Sequence, residues 1–404
     1  MIVAQNRTVD RLPYLLSTQA IRDQAQRMLR IGENAELSYF HYHPDSLEYV
    51  VQYVLRTMRE RIPDLKIPNH SRINHFKVGQ INGIESLNQN ISKIERVKMV
   101  FECVFLSVLL DGGAGSNWFY IEPNSNQKFT RSEGLGLATF YAFLEGQFSD
   151  PKSNHVTAES LESVSLETFK DIFQISECNQ LIGLEDRLSL LYRLALCLHD
   201  KGELFGPERR LGNLMTRIIP DFEDQPISAN TIFNEIMGAF SDLWGYGAIF
   251  EGQHLGDVWH YSKFGEAYEK SLIPFHKLTQ WLCYSIIDML ETLGYRIVDH
   301  SVLTGLAEYR NGGLIVDAGI LVPRRPNDLL TPHAVNSDFV IEWRAMTVAL
   351  LDILLDKLRQ ESNLPLSMSQ ALEGGTWWAG RKIALEKRNS LEAPIKIRAN
   401  GIIF

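Results

Sequence analysis

Phe339, Trp343, Met346, Leu350, Leu354 and Leu358 repeat an apolar side chain every three or four residues over about five helical turns. A stripe of that length must be covered by other apolar surface, which commits the chain to helix packing. The same period recurs in Leu47, Val50, Val51, Val54 and Met58, in Leu184, Leu188, Leu191, Ala195 and Leu198, and in Leu282, Ile286, Met289 and Leu293 before Gly294. These patterns predict helices over 47–58, 184–198, 282–293 and 339–358. Asp45 with Glu48 resembles a capping box, and Pro63 ends the first helix. Lys201 suits the last turn of the second, with Gly202 placed for a left-handed cap. Strand-like runs are few and short, at 118–121, 313–322 and 395–404, and no strand–helix alternation calls for a parallel sheet. The expected fold is mainly α, a helical globular fold with a few short strands. Repeats of fixed period and low-complexity tracts are absent.

The chain has 404 residues, 45% of them hydrophobic and 22% charged, so it can bury a large core and should fold throughout. One large helical domain over 1–404 is expected. If it divides into two lobes, the boundary falls in the turn-rich stretches 150–155 or 220–226. A net charge of −9 without a Lys/Arg run opposes binding to a phosphate backbone, so no nucleic-acid partner is expected. No basic leader runs into an apolar stretch and no run of about eighteen apolar residues occurs, so neither membrane nor export is expected and the location is cytoplasmic. Cys103, Cys178, Cys197 and Cys283 form no CxxC pair and read as reduced thiols. The oligomeric state is not encoded in any pattern here.

Several segments look like chemistry rather than core. Asp111-Gly112-Gly113-Ala114-Gly115-Ser116-Asn117-Trp118 follows an apolar run. Its glycines allow close backbone approach to a ligand, or simply end a helix. In Gly256-Asp257-Val258-Trp259-His260 an acid adjoins a large aromatic, a pattern of shifted carboxyls and ring stacking, or of an Asp that caps a helix. Pro274-Phe275-His276-Lys277 and Glu308-Tyr309-Arg310-Asn311-Gly312-Gly313 are polar clusters between apolar flanks, either paired structurally or gathered at a site. His41 and His43, and His70 and His75 in HSRINHF, suggest a metal. HExxH and ligand spacings for zinc are missing, so no metal and no cofactor are expected. GxSxG is absent too.

The motifs HSRINHF (70–76), SVLLDGGAGSNWFY (107–120), RSEGLGLA (131–138), LGDVWH (255–260), IPFHKLTQWLCYS (273–285), LTGLAEYRNGGLIVDAGIL (303–321), EWRAMTVALLD (342–352) and LEGGTWWAGR (372–381) span nearly the whole chain. They resemble the fungal uracil-catabolism protein four family, also described as uracil-regulated gene products. The resemblance implies a role in a pathway that opens the uracil ring after ribosylation, with ribosylurea an expected intermediate. A more distant similarity, carried by Asn117-Trp118-Phe119-Tyr120, the Ser132-Glu133-Gly134-Leu135 helix start and Gly256-Asp257-Val258-Trp259, links the chain to queuosine-nucleotide salvage glycosylases, helical proteins related to DNA glycosylases. It implies a DNA-glycosylase-like helical core and places the catalytic acid on Asp257. Gly256 stands where that family has Ala, and Glu308 where it tends toward Asp.

Together the two resemblances imply hydrolysis of the ribose N-glycosidic bond of ribosylurea, or of its 5′-phosphate, with release of urea. Asp257 is then expected to stabilise the oxocarbenium-like sugar and orient water. Glu133, Glu308 and Asp317 are candidates to protonate the leaving urea. Trp118, Tyr120 and Trp259 would wall the pocket, and Arg72, Lys277 and Arg310 would meet a phosphate. Asp111, His70, His75, His276, Tyr309 and Asn311 complete the expected set, on the expectation that the segments around Asp111, Asp257, His276 and Arg310 converge. Asp257→Asn, being nearly isosteric, is expected to cost turnover and leave stability unchanged. The alternatives are a noncatalytic metabolite-binding protein that supports the ring-opening enzyme, and a glycosylase acting on DNA, which the charge disfavours.

Overall fold

The computed structural model describes residues 11–78, 83–87, 90–115, 117–150, 153, 155–220, 225–244, 246–265 and 267–398. The frame is helical: α1 (Thr18–Glu33), α2 (Ser46–Arg61), α3 (Lys93–Leu109), α4 (Arg131–Leu144), α5 (Leu184–Asp200), α6 (Lys277–Thr292), α7 (Tyr309–Asp317), α8 (Asp338–Ser362) and α9 (Trp377–Arg388) are the elements that matter here. Strands are pairs of two or three residues. A contiguous cluster of buried apolar side chains runs from Ile21 to Ile395. No helix among the described residues is long and apolar enough to cross a membrane.

All four helices read from the periodicity form. Helix α8 is buried along most of its length, from Phe339 to Leu358, which is why its stripe is so long. Ser337 caps its start by accepting from Val340 N, and Asn363, with left-handed backbone (φ 56°), ends it. Helices α1 and α2 pack on α8, and α9 packs on α7. That last contact depends on Gly380, where a Cβ would lie 2.2 Å from the carbonyl oxygen of Arg310.

Local details differ from expectation in three places. Asp45 does not cap α2 with its side chain. Its backbone is already helical, and the first amides donate instead to His43 O and Pro44 O. Gly202 is not a left-handed cap but opens the next short helix, Gly202–Phe205, with the Arg209 guanidinium packed over it. The run 313–322 is not a strand: it is the end of α7 followed by the short strand Leu321–Pro323. Leu314, Ile315 and Val316 are consecutive apolar residues, two of them β-branched, and read locally as a strand although they close a buried helix. From 395–404, only the bridge of Ile397 to His333 is seen, and 399–404 lie outside the described residues. So do 151, 152, 154 and 221–224, within the two stretches considered as lobe boundaries, and Ser116 of the glycine-rich segment.

Candidate active site

Residues Val258–His260 and Leu272–Pro274 pair antiparallel, with Val258 opposite Pro274. The pairing brings Asp257 to the start of α6. Its backbone oxygen accepts from Phe275 N at 2.8 Å, and its Oδ2 accepts from Lys277 N at 3.1 Å. His276, with left-handed backbone (φ 42°), offers no side-chain cap of its own. Asp257 therefore caps α6 from a separate strand, with its charge at the positive end of the helix. The second turn of α8 contributes Arg344, which donates Nη1 to Oδ1 and Nη2 to Oδ2, each at 2.7 Å. Trp259 Nε1 donates to Oδ1 at 2.7 Å. Burial works to raise this carboxyl, but the Arg344 charge and these donors override it and hold it at about 2. Asp257 is only 7% exposed, and its oxygens are engaged by four donors.

A cavity of about 570 Å³ opens where α4, α6 and α7 begin, beside the glycine-rich loop. Arg131, Lys277 and Tyr309, the first residues of those helices, line it with Asp111 and Gly112 to Gly115, and residues 391–397 form part of its wall. Asp111 stands just beyond α3, its Oδ1 3.2 Å from Arg72 Nη2. Among the described residues no donor is aligned to hydrogen-bond that oxygen. Arg187 of α5 holds the loop, donating to Leu110 O at 3.0 Å, Gly113 O at 3.1 Å and also Ile182 O. Burial lowers the Lys277 ammonium, with Glu308 and Asp111 opposing the shift. Glu308 caps α7, accepting from Arg310 N at 2.7 Å and Asn311 N at 2.6 Å, and burial raises its carboxyl against those bonds. A larger cavity, about 750 Å³, lies elsewhere, between Arg22, Asn69, His300, Asp352 and Arg359. None of the residues expected at the site lines it, and its cations pair as Arg22–Asp352 and Arg359–Asp356.

Of the residues expected at the site, Asp111, Lys277 and Tyr309 line this cavity together. Asp257, Trp259 and Glu308 lie behind it, tied to its wall through the backbone amide or the charge of Lys277. Arg72 is fully buried and donates to Ser107 O and Ser132 O, each at 2.8 Å. It also shares a 2.8 Å contact with His75 Nδ1. His75 is pushed well below the ordinary imidazole range by burial and by Arg72. His70 Nδ1 lies 2.7 Å from Glu373 Oε2, and both imidazoles flank Trp281. His276 binds Leu15 O through Nε2 at 2.8 Å. Arg310 is buried, donating to Leu391 O at 2.6 Å. Asn311 accepts from Thr376 Oγ1 at 2.8 Å.

Five expected residues stand apart from the cavity lining or are held in pairs. Trp118 is wholly in the core, its indole N–H donating to Phe173 O at 2.9 Å. Tyr120 is buried beside Tyr141. Asp317, at the opposite end of α7 from Tyr309, forms a two-point pair with Arg388 at 2.5 and 2.7 Å. Glu133 pairs with Arg381 at 3.1 Å. Trp259 stacks on Tyr246 with centroids 6.2 Å apart.

Sequence reasoning passed over Arg131, Arg187, Arg344 and Arg381. The available signal was a cation inside an apolar stripe, as with Arg344 between Trp343 and Met346, since a buried charge requires a partner. Among the described residues no group of three His, Cys, Asp or Glu is arranged to hold a metal ion.

The model of the family described as "Protein of unknown function (DUF1688)" matches residues 14–404. "Protein urg3" of Schizosaccharomyces pombe is 36% identical over 410 residues, covering 96% of this chain and 98% of that protein. "Uracil catabolism protein 4" of Lachancea kluyveri is 31% identical over 438 residues, covering 98% of this chain and 100% of that protein. The cavity at the starts of α4, α6 and α7 is thus built from a chain that belongs, over nearly its whole length, to the DUF1688 family.

Proposed function

We propose that the protein acts in uracil catabolism as a hydrolase of the ribose N-glycosidic bond, cleaving ribosylurea or its 5′-phosphate to release urea. The Lachancea kluyveri relative, Uracil catabolism protein 4, supports the pathway by its name. The observation that carries the reaction is that a carboxylate, Asp111, and a burial-weakened ammonium, Lys277, face one cavity of a size that suits a small polar ligand.

As the C1′–N bond breaks, positive charge gathers on C1′ and the ring oxygen, and the Asp111 carboxylate opposes it. Its Oδ1 is buried against Arg72 Nη2 at 3.2 Å, so the second carboxylate oxygen is the one that holds the attacking water and accepts a proton as the C1′–O bond forms. Urea is a poor leaving group as an anion, and the Lys277 ammonium supplies the proton to its departing nitrogen. The bond electrons leave with urea, and the proton taken by Asp111 balances the one given by Lys277. Asp257 serves in this reading as a positioning residue. Its four donors keep it from water, and its bond to the Lys277 amide fixes where that side chain starts.

The test is to incubate purified protein with ribosylurea, ribosylurea 5′-phosphate, uridine and UMP, following urea, uracil and free sugar separately. Urea released with equimolar sugar from a ribosylurea supports the proposal. Binding without release from any of the four would point instead to a metabolite-binding protein.

A further inference from the structure

Three guanidinium groups gather beside the cavity, Arg131 in its lining and Arg310 and Arg381 behind it. Arg131 and Arg310 both donate to the same carbonyl, Leu391 O, at 3.4 and 2.6 Å. Arg310 and Arg381 share the Trp377 ring, with guanidinium carbons 5.9 and 5.7 Å from its centroid. The acids near this group are Glu133, paired with Arg381, Glu308, whose oxygens accept from the first amides of α7, and Glu392, which follows Leu391 in the cavity wall. Like charges held this close repel, and among the described residues Arg381 alone of the three is in an ion pair.

Two further features point to what is missing. Arg310 is 2% exposed, and its buried Nε meets no acceptor among the described residues. An unpaired buried donor is unfavourable unless a ligand or water supplies the acceptor. Arg131 and Ser132 are also the first residues of α4, a fourteen-residue helix whose cap residue, Thr130, makes no side-chain cap bond, so its positive end faces the cavity.

We infer that Arg131, Arg310 and Arg381, with the start of α4, form a phosphomonoester subsite, and that the substrate is the 5′-phosphate of a ribosyl compound rather than the free nucleoside form. This rests on the proposed ribosyl substrate and narrows it. Arg131 and Tyr309, neighbour of Arg310, line the same cavity as Asp111 and Lys277, so a ribose phosphate held by the arginines presents its C1′ side to those two groups.

The test measures binding without turnover. Ribose 5-phosphate, ribose and inorganic phosphate are titrated by calorimetry into the intact protein and into the Arg131→Gln and Arg381→Gln variants, each checked by melting curve. The expected result is that ribose 5-phosphate binds at least about tenfold more tightly than ribose, and that each substitution weakens it about tenfold or more. Inorganic phosphate should compete with it. Ribose 5-phosphate binding no tighter than ribose, or unchanged in whichever variant folds, overturns the subsite. If ribose 5-phosphate binds through the arginines and ribosylurea 5′-phosphate is not cleaved, the hydrolase reading fails and the subsite stands. If ribosylurea is cleaved and ribose 5-phosphate does not bind, the reverse holds.

Discussion

Asp257→Asn separates a positioning role from a catalytic one. Size alone suggests a neutral change in stability, but the carboxylate receives two guanidinium N–H groups, an indole N–H and a backbone N–H. An amide presents its own N–H groups to one side of that donor set and leaves Arg344 buried without a counter-charge. The carboxyl held at about 2 against an ordinary 3.8 corresponds to about 2 kcal/mol in favour of the ionised form. Removing one partner of a buried pair costs about 3–5 kcal/mol. Unfolding entropy of about 2.1 cal/mol/K per residue gives roughly 0.85 kcal/mol/K for a chain of 404 residues, so Tm should fall by about 4–6 °C. The acid limb follows from the sign of the shift. A depressed carboxyl contributes stability above about pH 4 and loses it as pH falls toward 2, and this limb should be missing in the variant. Differential scanning calorimetry from pH 2 to 8 reads both effects. Arg344→Met added to Asp257→Asn should restore part of the loss, because no lone charge then remains buried. If Asp257→Asn melts within about 1 °C of the parent at pH 7, the buried pair does not carry the weight given to it.

Three further outcomes follow from the site. Asp111→Asn should lower kcat on the cleaved ribosyl substrate about a hundredfold or more while KM moves little, and a kcat within threefold of the parent removes Asp111 from the chemistry. Lys277→Gln should lower kcat and abolish the alkaline limb of the pH–rate profile. In the parent that limb must lie below 10.5, since burial lowers this ammonium, and an unshifted limb in the variant would rule Lys277 out as the acid. Gly380→Ala should lower stability by about 3 kcal/mol and weaken substrate binding, because its Cβ would press on the carbonyl of Arg310 beside the cavity; a melting curve unchanged within error would mean that α9 yields freely.

The helical frame was legible because its stripes obey one rule: Leu188 or Leu350 is apolar because its face of the helix is covered. Asp111, Lys277 and Tyr309 were legible because each interrupts an apolar segment with a group that needs a partner or a ligand. What the sequence hid was pairing at a distance. Nothing near Asp257 reveals that Arg344, 87 positions on, occupies its carboxylate. The local reading of Asp257 as a capping residue has the right chemistry on another element, because the amide it accepts belongs to α6. Trp118 and Tyr120 were drawn toward the pocket by lying next to the glycines, yet the chain turns them inward, to Phe173 O and to Tyr141.

Arg344 also explains how segments so far apart in sequence share one wall. Its guanidinium grips Asp257, its Nε reaches Ala307 O at 3.3 Å before α7, and the Phe275 ring lies 4.0 Å from its central carbon. One side chain from α8 therefore ties the starts of both α6 and α7, and with them Lys277 and Tyr309. Replacing the Asp257–Arg344 pair by apolar groups could preserve stability, since buried ion pairs seldom outdo well-packed hydrocarbon. It would not preserve this geometry, because no apolar pair can accept the Lys277 amide and donate to Ala307 O at once. The double variant Asp257→Leu/Arg344→Met, which is apolar at both positions, should accordingly recover part of Tm and not kcat. Recovery of both would mean that the cavity needs the packing around the pair and not its hydrogen bonds.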